Sequence, residues 1–78
     1  MERIEITGAA LNEQHNNLRV CIGKAQKFGG TLAGLSRQYR HHITMNGFGA
    51  SDVPEGEVRT DDGKLVAVIS YNGRVWAA

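Results

Sequence analysis

The architecture of this chain turns on Ala9-Ala-Leu-Asn-Glu-Gln-His-Asn-Asn-Leu-Arg-Val-Cys-Ile-Gly-Lys-Ala-Gln-Lys-Phe28. Two periodicities run through it. Leu11, His15, Leu18, Ile22 and Ala25 recur at the spacing of one helix face, whereas Leu18, Val20 and Ile22 alternate as the buried side of a strand does. Asn16-Asn17 reads as a turn under the second pattern. Alanine and glutamine favour a helix more than the asparagine pair opposes it. A helix within residues 9–28 is therefore the expected element, with the strand pattern left open.

Downstream, Gly29-Gly30 breaks the chain and Thr31 is placed to cap a second helix over residues 32–43. At 100° per residue, Leu32, Leu35, Tyr39 and Ile43 form its apolar stripe. Arg37 and His41 lie opposite, Arg40 flanks them, and Gly34 shares the polar side, where a missing side chain admits a backbone or a phosphate. Residues 46–54, with Gly47, Gly49 and Pro54, read as a loop. Beyond it, residues 57–60, 64–71 and 74–77 are β-prone runs separated by Asp61-Asp62-Gly63 and Asn72-Gly73. Asn-Gly between apolar runs is a strong hairpin signal, because a type I′ turn needs positive φ at both central residues. A two-residue loop there pairs Ile69 with Trp76 and Val68 with Ala77. A three-residue loop at Asp61 to Gly63 pairs Arg59 with Leu65 and Val58 with Val66. Val58, Val66, Val68, Val75 and Ala77 then share one face. Leu65, Ala67, Ile69, Tyr71 and Trp76 share the other, with Glu57, Arg59 and Arg74 among them.

Upstream, Ile4 and Ile6 alternate with charged neighbours as a strand over residues 3–7. The expected fold is α+β: a single small domain over residues 1–78, with an N-terminal strand, two helices and a C-terminal three-stranded antiparallel meander. At 78 residues and 41% hydrophobic composition the core is thin. No apolar run reaches the roughly 18 residues of a membrane span, and the opening residues do not form a secretory leader. Cys21 is the one cysteine and has no partner for an internal disulfide, so a reducing cytoplasmic setting is expected.

The formal net charge of +1 conceals a segregated distribution. Residues 1–13 carry three acids against one base. Residues 14–51 carry no acid, but hold Arg19, Lys24, Lys27, Arg37 and Arg40, with all three histidines. Residues 52–78 carry five acids against three bases. A basic middle lies between acidic flanks.

Catalytic and metal-binding patterns are not expected. Cys21 has no base nearby in sequence, and adjacent His41 and His42 point about 100° apart on a helix, too divergent to share a metal. Asp61 and Asp62 suit a turn. Gly47-Phe-Gly49 lacks the third glycine of a dinucleotide fingerprint, and Gly23-Lys24 lacks the Ser or Thr of a phosphate-binding loop. No cofactor is expected.

Two contact surfaces remain, a basic one (Lys24, Lys27, Arg37, Arg40, His41) and a sheet face (Arg59, Tyr71, Arg74, Trp76), the latter of the aromatic and arginine composition enriched at binding hot spots. Residues 21–40 resemble the helix-turn-helix of Cro-like phage repressors, with Ala25 at the close helix contact, Phe28 and Gly29 at the first helix's end and Leu35 anchoring the second. That resemblance implies duplex DNA binding, with Arg37 and Arg40 toward the groove or phosphates and Lys24 and Lys27 on the backbone. By size and character the whole chain is similar to small inhibitors encoded by phages and mobile elements, including anti-CRISPR proteins. These share no motif, so no residue carries the likeness. It implies a non-enzymatic protein that occupies a surface of a larger protein or ribonucleoprotein complex, with nucleic acid as a further partner of the basic middle and no membrane partner.

Overall fold

Leu18–Ile22 and Ala25–Gly29 are two antiparallel strands in the computed structural model, which describes residues 3–78. The helix expected within residues 9–28 is overturned. Leu18, Val20 and Ile22 are buried while Arg19 and Cys21 between them stay partly exposed, the period-two pattern of a half-buried strand. Branched Val20 and Ile22 pack better on a pleated surface than on a helix. Gly23, at φ 59°, supplies the positive φ at the first central position of a two-residue Gly23-Lys24 turn, as a type II′ turn requires. Asn17 enters the first strand at φ 55°, a conformation asparagine tolerates better than most residues. The helical tendency survives only as a short 3₁₀ helix at Gly8–Asn12.

The elements are β1 (Glu5–Ile6), β2 (Leu18–Ile22), β3 (Ala25–Gly29), α1 (Leu32–Asn46), β4 (Gly56–Arg59), β5 (Leu65–Ile69) and β6 (Val75–Ala77). Among the described residues the strands make one antiparallel sheet of six, in the order β1-β6-β5-β4-β2-β3. The expected arrangement of two helices and a three-stranded meander is thus replaced by one α-helix on a six-stranded sheet. The C-terminal strands extend sideways through β4 onto β2 and through β6 onto β1.

Register sets which residues meet the helix. Ile69 pairs with Val75 and Val68 with Trp76, one residue away from the pairing a type I′ turn gives. Only Gly73, at φ 90°, has positive φ in that turn. Ser70 N donates to Arg74 O at 2.9 Å and Gly73 N to Ser70 O at 2.8 Å, closing a three-residue loop with glycine in the left-handed position. Asn72 instead accepts from Ser70 Oγ and Arg74 N through its side chain. The slip turns β5 over relative to β6: Ala67 and Ile69 join Val75 on the core side, while Val68 joins Trp76 facing away. Across the Asp61 turn Arg59 does pair with Leu65, but a bulge then sets Val58 opposite Ala67, not Val66.

α1 begins at Thr31, whose Oγ1 accepts from Gly34 N at 3.0 Å, and ends at Gly47 with φ 66°, the left-handed closure glycine permits. Leu32, Leu35, Tyr39 and Ile43 seat against Leu18, Val20, Ile22, Val58, Ala67, Ile69 and Val75. Tyr39 is 0% exposed and donates its hydroxyl to Pro54 O at 2.9 Å. Burial, with Glu55 nearby, raises its pKa, keeping it a neutral donor. Among the described residues no helix is long and apolar enough to cross a membrane.

Candidate functional site

α1 crosses the inner face of the sheet beside β3, and a cleft of about 490 Å³ opens between them, lined by Lys27, Gly34, Arg37, Gln38 and His41. Two periodicities build it. On β3, Lys27 pairs with buried Val20 and so shares the helix side of the sheet. On α1, positions 34, 37, 38 and 41 recur at three- and four-residue intervals along one stripe. Gln38 Nε2 donates to Phe28 O at 2.6 Å, joining the helix to the edge strand and bounding the cleft. Gly34 keeps it open, since a Cβ there would lie 3.0 Å from Thr31 Oγ1 and 3.8 Å from Arg37 Nη2. Among the described residues no carboxylate lines the cleft, and neither Lys27 nor Arg37 forms an ion pair. The arrangement presents two permanent cations, an imidazole and an amide, a donor-rich surface suited to anions.

The basic surface read from the sequence is therefore divided. Lys27, Arg37 and His41 converge. Lys24 is exposed in the β2–β3 turn and does not line the cleft. Arg40 lies elsewhere: its Nη1 donates to Tyr71 O at 2.6 Å and its guanidinium sits 5.1 Å from the centre of the Tyr71 ring. It ties α1 to the β5–β6 loop.

The expected sheet-face group is divided as well. Tyr71 is in that loop, packs against the core and donates its hydroxyl to Phe48 O at 3.2 Å. Arg74 is exposed beside a smaller cavity of about 310 Å³ that Ser36 and Glu5 also line. Arg59 and Trp76 do face away from α1, Trp76 with its Nε1 donating to Ser70 Oγ at 3.1 Å. With them on this outer face are residues the sequence reading missed: Arg19, directly across from Arg59, and Phe28, directly across from Arg19. Phe28 is 65% exposed. The signal for Arg19 was the strand alternation of Leu18, Val20 and Ile22, which sends the residues between them outward; Phe28 joins it only through the hairpin pairing of β2 with β3.

The helix-turn-helix expected over residues 21–40 is overturned by the fold. Residues 21–40 hold the end of β2, the whole of β3 and the first part of α1, so the helix pair that would read a major groove is not there. No family model, curated protein or solved structure matches the chain.

Proposed function

We propose that the protein is a non-enzymatic binding module that inhibits a larger macromolecular complex by occupying an acidic surface of it. The convergence of Lys27, Arg37 and His41 on one cleft with no acid among its described lining residues carries this reading. A cleft so charged attracts an acidic partner over a distance of about one Debye length and fixes its orientation by complementary charge. Gly34 and the Gln38 amide add close approach and directional hydrogen bonding. Occupancy of this kind is the mode of action expected of small phage or mobile-element inhibitors of the anti-CRISPR type.

The test is retention of a complex isolated from bacterial lysate on the tagged protein. The double variant Lys27→Glu/Arg37→Glu should weaken retention about tenfold or more, equivalent to about 1.4 kcal/mol, while Lys24→Glu changes it little. Retention by wild type should also fall as salt is raised. A complex held equally well by wild type and the double variant would remove the cleft from the interface.

A further inference from the structure

We propose that the outer face of the sheet carries a second, separate site that binds single-stranded nucleic acid, with a base stacked on Phe28 and the adjoining phosphate held by Arg19 and Arg59. The three side chains lie in one cross-strand row, Phe28 on β3, Arg19 on β2 and Arg59 on β4. Like charges placed directly opposite each other destabilise a sheet, and this row places two arginines so. Arg59 is partly compensated, donating to Gly63 O at 2.8 Å and to Glu57 Oε1 at 3.1 Å. Arg19 is not: its Nε is sealed from solvent and has no hydrogen-bond partner among the described residues. An anion bridging the two arginines relieves the repulsion between them.

Phe28 identifies the kind of anion. It is a large aromatic left 65% exposed, next to the arginine pair and not apart from it. An aromatic platform beside cations on an open sheet is how unpaired bases are held, by stacking that duplex bases are not free to make. Phe28 and Arg59 are two inter-strand spacings apart, about 10 Å, with Arg19 on the strand between them. Glu57 is the acid on this face nearest the pair, and it already occupies one edge of Arg59; a phosphate competes with it for that edge.

The site is tested by fluorescence anisotropy with a short fluorescein-labelled oligothymidylate and a duplex of equal length at about 50 mM salt, where phosphate contacts are strongest. Wild type should bind the single strand more tightly than the duplex. Phe28→Ala should weaken single-strand binding fivefold or more, and it retains the backbone carbonyl that Gln38 holds. Arg19→Gln should lower the slope of log affinity against log salt by about 0.7. Glu57→Gln should tighten binding, whereas Lys24→Ala should leave it within about twofold. Circular dichroism of each variant establishes that it is folded. Absence of single-strand binding by wild type, equal affinity for duplex, or indifference to Phe28→Ala would each overturn the proposal. Loss of protein-complex retention on Phe28→Ala without any oligonucleotide binding would do the same, assigning the face to a protein.

Discussion

Gly56 shows how closely this small core is fitted. A Cβ at that position would lie 2.7 Å from Val20 Cγ2 and 3.0 Å from Tyr39 Cδ1, and both neighbours are fully buried. Neither has room to retreat. Gly56→Ala should therefore destabilise the fold by about 1–3 kcal/mol, read as a lower urea midpoint at unchanged slope. Val20→Ala should cost less in the Gly56→Ala background than alone, because it vacates the space the new methyl needs. Glu55, one position earlier, makes a different contribution. Arg3 donates to both its oxygens, at 2.7 and 2.9 Å, and that hydrogen bonding holds the carboxyl below its ordinary pKa. A depressed folded-state pKa gives stability that is present above the unfolded value and lost as pH falls through the folded one. The side chains are about half exposed, so the effect is small and salt-sensitive. Urea midpoints of wild type and Glu55→Gln should differ slightly at neutral pH and converge in acid, below the ordinary carboxylate range.

What the sequence made legible divides along the lines of local and non-local physics. Thr31 as a cap, the stripe of Leu32, Leu35, Tyr39 and Ile43, and the turn at Asp61 to Gly63 all follow from contacts within a few residues, and each is found where local chemistry puts it. The β2–β3 hairpin was misread because its deciding contacts are distant. Val20 is committed to a strand by Val58 across β4, a partner no local window contains. Its turn, Gly23-Lys24, also lacks the Asn, Asp or Ser that usually follows glycine in a recognisable hairpin. The Asn72-Gly73 turn was misread for the opposite reason, a strong local signal. Asn72 uses its side chain to accept two hydrogen bonds, leaving Gly73 alone at positive φ and shifting every downstream pair by one. That slip moved Trp76 away from Ile69 and broke up the expected sheet-face group. The cleft was half legible: helix periodicity placed Arg37 and His41 together, but Lys27 joins them only because residues 25–29 are a strand.

Both proposed surfaces rest on β3, back to back. Lys27 faces the cleft and Phe28 the outer sheet, on a strand at the sheet's edge whose one strand partner among the described residues is β2. Gln38 is a second tether, through Phe28 O. Such an edge hairpin opens more readily than the central β4 and β5, and Gly23 controls it, since at φ 59° an alanine is strained by about 1 kcal/mol. Gly23→Ala has open space to enter, with its nearest neighbour Pro54 Cγ at 3.8 Å, so its effect is conformational and not steric. Hydrogen exchange at β2–β3 amides should quicken about fivefold, the factor equivalent to 1 kcal/mol, with a smaller change at Ala67 and Val68 in β5. In water the closed hairpin still dominates and both binding activities should remain near wild type. In rising urea the cleft and the outer face should fail together, at a lower concentration than in wild type, because opening β3 dismantles both. Equal acceleration at β5 would mean that the sheet opens as one cooperative unit, and loss of one activity without the other would show that they do not share this strand.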